Sequence, residues 1–302
     1  MKSRLLRTPN KYIMPLNVNS LRGNLYYKKN YSITSKHLLY IPDLRSDIHT
    51  NFNVLQTLSA YGSVTAIDLP GIGGMESFYK IDRKPTIENY ADYLSSLIRL
   101  RYKNKNIILV GQGFGFIVLT RMLQKNPNIA KQVRLVIAID GIARFDDLSI
   151  DKKTRIYYRF IGLLHIIAQL LVSIGLKYHF LEKGIFNRSN KKDLFQNLLS
   201  TDTKFANKSL HSNDLATHLY LLRRISMFDN CTSEQLDIPL WNIILDDSSI
   251  DKEVNEQHLR IIYKRYYQST PKIGYYDLFV VNDKLMSSLI NSKLKRLLTR
   301  KR

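Results

Sequence analysis

A single cysteine, Cys231, in 302 residues excludes an internal disulfide framework and fits a reducing compartment. No apolar run reaches the roughly 20 residues that a membrane-spanning helix requires. The longest uncharged stretch, Phe160 to Leu176 (FIGLLHIIAQLLVSIGL), contains His165 and Gln169 and reads as a buried or lid helix, or as one lying in a membrane interface. The N-terminus, MKSRLLRTPNKYIMPLNV, has basic residues but no continuous apolar segment and no small-residue cleavage site, so no secretory signal is expected. A cytoplasmic location follows as the expectation, with membrane association as its variant. Histidine is sparse, with seven in the chain and none after His258. The carboxylate pairs Asp146-Asp147 and Asp246-Asp247 are sequence neighbours without histidines at ligand spacing, so neither a metal nor any other cofactor is expected.

What is abundant is positive charge: 46 Lys and Arg against 25 Asp and Glu give a formal net charge of +21. The basic residues are spread through the chain, with concentrations at Lys2, Arg4 and Arg7, at Lys152, Lys153, Arg155 and Arg159, and from Lys293 to Arg302. No zinc-knuckle spacing, aromatic RNA-binding motif or helix-turn-helix pattern accompanies them, so a specific nucleic-acid partner is not expected. The basic termini instead suit an anionic membrane surface, and a protein partner stays open.

The hydrophobic pattern sets the fold class. Short apolar strands are predicted at Gly23 to Lys28, His37 to Ile41, Val64 to Leu69, Asn106 to Val110 and Arg134 to Ile139. Between them, Phe52 to Ala60 and Ile87 to Leu100 have helical periodicity, the second with Thr86 as N-cap. From about Arg144 to Asn230 the pattern is helical throughout. Strands return at Pro239 to Leu245 and Tyr275 to Val281, each followed by a predicted helix, Lys252 to Tyr267 and Lys284 to Leu298. The expected architecture is α/β: a mostly parallel central sheet with helices on both faces, formed by residues 1–143 and 231–302, with an all-helical cap inserted at 144–230.

The segment NIILVGQGFGFIVLT, Asn106 to Thr120, runs from an apolar strand through a glycine-punctuated turn into an apolar helix. A dinucleotide fingerprint would require a third glycine at Phe116 and would normally sit on the first strand of its fold, so nucleotide binding is disfavoured. Three pieces together, HLLYIPDLRSD, TAIDLPGIGGMES and ILVGQGFGF, resemble the α/β-hydrolase superfamily, and within it the capped esterase, lipase and haloperoxidase-like members. The resemblance extends from about Lys36 to Leu298; the middle piece matches the family's DLPGFGxS through Asp68, Pro70, Gly71 and Gly73.

That resemblance implies a serine nucleophile, an acid and a histidine, and it places them where this chain has other residues. The nucleophile position falls on Gly113, the acid position on Ser248 beside Asp246 and Asp247, and the histidine position in the loop containing Lys284. The oxyanion donors fall on Phe114 and Leu44, but the family's HG dipeptide is Pro42-Asp43, which brings a carboxylate toward a site meant to receive negative charge. In its serine-free, glycine-rich elbow the chain resembles the N-myc downstream-regulated proteins. The expected function is therefore non-catalytic, with an apolar small molecule, a lipid or a partner bound between cap and core. Two alternatives stay open: an active ester or lipid hydrolase recruiting Ser248, Ser249 or Lys284, and a peripheral protein of anionic membranes.

Overall fold

The computed structural model describes residues 10–33, 35–103, 105–173, 214–231, 235–279 and 287–299. Eight strands form one sheet: β1 Ile13–Val18, β2 Leu21–Lys28, β3 His37–Ile41, β4 Ser63–Ile67, β5 Ile107–Gln112, β6 Val133–Ile139, β7 Leu236–Ile243 and β8 Tyr263–Ser269. Their spatial order is β1-β2-β4-β3-β5-β6-β7-β8. The β1–β2 and β2–β4 pairings are antiparallel and all the others are parallel.

The continuous apolar character of β4 and β5 has a direct cause: every residue of both strands is buried, because helices cover both faces of the sheet. Alternate residues of each strand therefore enter different cores. Leu39, Leu109 and Val136 pack with α2 (Ile87–Arg101), α3 (Phe114–Lys125) and α8 (Lys252–Ile262). Leu38, Val110 and Ile137 pack with α1 (Phe52–Ser59) and α9 (Ser292–Thr299) on the opposite side. The short α4, Pro127–Ala130, leads into β6.

The described part of the insertion between β6 and β7 is helical: α5 Lys152–Ile161, α6 His165–Ser173 and α7 Leu215–Ile225. The helices α2, α5, α7 and α8 each open on a side-chain acceptor. Thr86 receives the Asn89 N–H at 3.1 Å, Asp151 that of Thr154 at 3.1 Å, Asp214 that of Thr217 at 3.0 Å and Asp251 that of Val254 at 3.1 Å. The start of α7 is docked on the loop that follows β4. Asp214 donates its N–H to Gly71 O at 2.8 Å, and the Ser77 and Thr217 hydroxyls share a hydrogen bond of 2.8 Å. Gly71 has φ +80, and a Cβ there would lie 2.6 Å from Thr217 Oγ1, so glycine serves both the turn and the close approach.

The structure differs from the sequence expectation at the last strand. The segment predicted as one helix from Lys252 to Tyr267 divides at Ile262, and its second part is β8, paired with β7 from Leu236↔Tyr263 to Ile243↔Ser269. β8 is a sheet edge, so it carries exposed Lys264 and Arg265 and does not read as a buried strand. The apolar run expected as a strand from Tyr275 instead contains a 3-10 turn, Tyr276–Phe279, packed on the α1 side. The antiparallel β1 lies outside the sequence expectation altogether.

A second joint ties cap to core. Asp147, fully buried, accepts the N–H groups of Ala143 (2.7 Å) and Arg144 (2.8 Å) and faces His258 Nδ1 on α8 at 2.5 Å. Replacing it with alanine leaves the buried Ala143 N–H and the half-buried Arg144 N–H and His258 Nδ1 without this partner. Asp147→Ala is expected to lose more than about 3 kcal/mol in urea unfolding, and a loss below about 1 kcal/mol would show that the joint is not structural.

Candidate functional site

β5 enters the elbow at Gln112 and α3 leaves it at Phe114, with Gly113 between them at φ 48 and ψ −113. This conformation is strained for any residue with a Cβ. The first turn of α3 also presents unsatisfied N–H groups and the positive end of a helix dipole. Here the chain supplies its own anion. Asp43, in the loop after β3, accepts the Phe114 N–H on Oδ1 at 2.9 Å and receives Arg45 Nε on Oδ2 at 3.0 Å. The Tyr275 hydroxyl donates to Oδ2 at 3.4 Å. A Cβ built at Gly113 would stand 2.3 Å from Asp43 Oδ1 and 2.7 Å from its Cγ. The Asp43 carboxylate thus fills the space a side chain at 113 would need, and it uses the N–H that follows it. Leu44 and Phe114 lie beside it in the same core, buried to 6% and 2% exposure.

β8, the last strand among the described residues, ends at Ser269 and is followed by a loop from Thr270 to Tyr275, while Lys284 lies outside the described residues. Tyr275 is the group that this loop directs at the elbow. Its ring lies under the Arg45 guanidinium at 4.0 Å, and its N–H is held by Asp247 Oδ1 at 2.8 Å. Burial, opposed by the Arg45 charge, raises its phenol well above the usual range, so it is a neutral donor and not a base.

Ser248, expected at the acid position, hydrogen-bonds Asp140 just after β6 through its hydroxyl. Asp140 has φ 51 and accepts the Leu245 N–H at 2.9 Å. Burial pushes its carboxyl up to about 7, against the Leu245 N–H, Ser248 and Arg45, which favour the charged form. Below the sheet edge Gln112 accepts from Tyr40 at 2.5 Å, and Tyr40 also bonds Asn51 at 2.8 Å. The Gln112 Nε2 has no partner.

His218, on α7, lies close enough to Asp43 to feel its charge. It is 6% exposed, its Nδ1 has no hydrogen-bond partner, and burial lowers it to about 4 although Asp43 and Asp214 favour its charged form. The imidazole is neutral near pH 7. Cys231, the one thiol in the chain, donates to His258 O at 3.9 Å; burial and Asp229 push it up to about 12, which keeps it protonated. Arg45, Asp140, His218 and Tyr275 were not singled out by sequence reasoning. They come from four separate segments, and only the position of Tyr275 after a correctly placed β8 would have given a local signal. Among the described residues no cluster of three metal-ligating side chains occurs.

No family model matches the sequence, and no curated protein matches it. Solved structures do. The Cif epoxide hydrolase from Acinetobacter nosocomialis superposes with a TM-score of 0.67 at 16% identity, over 93% of this chain and 88% of that one. MenH from S. aureus gives 0.64 at 17% identity over 90% and 98%, and a thermophilic esterase from Thermogutta terrifontis 0.61 at 15% over 94% and 98%. The chain has the α/β-hydrolase fold: a mostly parallel eight-stranded sheet covered by helices on both faces.

His218 gives a pH signature of the site. Its folded value of about 4 lies below the ordinary 6.5, so the unfolded chain binds the proton first and stability falls as pH drops from about 6.5 to about 4. Relative to His218→Phe, the wild type is expected to lose about 3 kcal/mol between pH 7 and pH 4 in urea unfolding. A pH-independent difference between the two proteins would mean that the imidazole is not held neutral.

Proposed function

We propose that this hydrolase-fold chain does no acyl-transfer chemistry and acts by binding. The observation that carries this is the Asp43 carboxylate, which stands 2.3 Å from where a Cβ at position 113 would lie and accepts the Phe114 N–H. A group already negative at that N–H repels a developing oxyanion, and loss of even one such donor slows related chemistry about 10²–10³-fold. The neutral Tyr275 in the loop after β8 supports the same reading. On this reading the interface between cap and core receives an apolar small molecule, a lipid or a protein partner.

The purified protein is expected neither to hydrolyse p-nitrophenyl esters nor to react with a fluorophosphonate probe. Labelling at one specific serine overturns the proposal in favour of a hydrolase with a non-standard catalytic set. A mutant cycle tests the geometry separately. Gly113→Ser should destabilise the wild type more than it destabilises an Asp43→Gly background, with a coupling of about 1–3 kcal/mol. Additive effects would show that Asp43 does not occupy the nucleophile's space.

A further inference from the structure

The cap helices α5 and α6 are built inside out. Their inward positions, Thr154, Tyr158, Gly162, His165 and Ala168, recur at three- and four-residue spacing and are small or polar, and all are buried. That face packs on α7: Gly162 stands against Arg223, the His165 ring meets Tyr220 edge-on at 5.0 Å, and Ala168 joins Leu215, Ala216 and Leu219. The outward face carries the large apolar side chains. Phe160 is 68% exposed, Ile156 52%, Ile166 53%, Ile167 51% and Leu163 40%. Soluble helices show the opposite arrangement, and a contiguous apolar patch of this kind marks a docking surface.

Charge selects the occupant. From Lys152 to Ser173 the sequence contains Lys152, Lys153, Arg155 and Arg159 and no acidic residue, and Lys152, Lys153 and Arg159 are exposed on the first of the two helices. Tyr157 lies between Arg155 and Arg159, and Phe160 follows Arg159, so aromatic side chains of the kind enriched at membrane interfaces are interleaved with the cations. The whole chain adds a net charge of +21, which attracts it to negative surfaces. Among the described residues no helix is long and apolar enough to cross a membrane, so these helices would lie in the interface plane.

We propose that the outward face of α5 and α6 docks on a membrane surface containing anionic lipid, inserting Phe160 and its aliphatic neighbours while Lys152, Lys153 and Arg159 contact headgroups. This goes beyond the binding role assigned to the elbow and does not depend on it: a protein labelled by fluorophosphonate could dock equally well.

The test is flotation of the full chain with vesicles of phosphatidylcholine alone or with about one-third phosphatidylserine. The wild type is expected to float with the anionic vesicles at least about tenfold more than with the neutral ones, and less at 0.5 M salt, because each basic side chain at such a surface contributes roughly fivefold. Phe160→Gln with Ile166→Gln should lower anionic binding about tenfold without lowering the melting temperature, since both side chains are already exposed. Lys152→Gln, Lys153→Gln and Arg159→Gln together should remove the preference for anionic lipid. Equal binding to both vesicles, or binding unchanged in the Phe160/Ile166 variant, overturns the proposal. So does a dimer in light scattering that the same variant dissociates, which would assign the face to a second copy of the chain.

Discussion

One contact organises the elbow: the Asp43 carboxylate set into the N-terminal turn of α3, where Gly113 leaves room for it. A carboxylate is favoured there for the same reason that an oxyanion would be, since a helix N-terminus offers unsatisfied donors and a positive potential. The fold's reactive centre is a place prepared for negative charge, and this chain satisfies it permanently from its own backbone loop. Asp43 and Gly113 are therefore mutually dependent. Any side chain at 113 would displace the carboxylate, and the carboxylate in place leaves no space for a nucleophile.

The surrounding groups follow from that arrangement. Arg45 and Tyr275 both donate to the same carboxylate, and Arg45 covers the Tyr275 ring, so the carboxylate is embedded in donors. An imidazole in the loop after β8 would compete with Arg45 for this acceptor and, if neutral, would offer less. Asp140, with its carboxyl pushed up to about 7 chiefly by burial, avoids bringing a second full negative charge to the cluster at neutral pH. His218, kept neutral by burial, avoids a second positive one. Buried charge is tolerated where it is paired and suppressed where it is not.

The sequence made the layered fold legible because its signals are local. Strands buried on both faces read as apolar runs, the DLPG turn has its own glycines, and Thr86 marks the start of α2. It failed where the period did not change at a boundary. From Leu259 through Tyr263 to Tyr266 the apolar spacing continues a helical pattern without a break, although the chain turns into the edge strand β8 after Ile262. Without β8 in place, nothing along the chain pointed to Tyr275 in the loop that follows it. Asp43 was recognised as a carboxylate near the oxyanion site, but its reach into the space above Gly113 is a tertiary fact. Arg45, Asp140 and His218 meet only through the fold and leave no pattern along the chain.

Glycine at position 113 also changes the energetics of the scaffold. A residue with a side chain at φ 48 and ψ −113 stores strain on the order of 1–3 kcal/mol, which an enzyme retains for the sake of its nucleophile. Glycine releases most of that strain, and the Phe114 N–H gains a charged acceptor in place of water or substrate. Both changes favour the folded state, and on the proposed reading they do so at the expense of features that acyl transfer requires, as expected where activity and stability oppose each other at a strained site. The strand pairings of the sheet and the docking of α7 on Gly71 involve neither Gly113 nor Asp43. On the proposed reading the fold persists without acyl-transfer chemistry because most of its packing lies in the two cores on either face of the sheet.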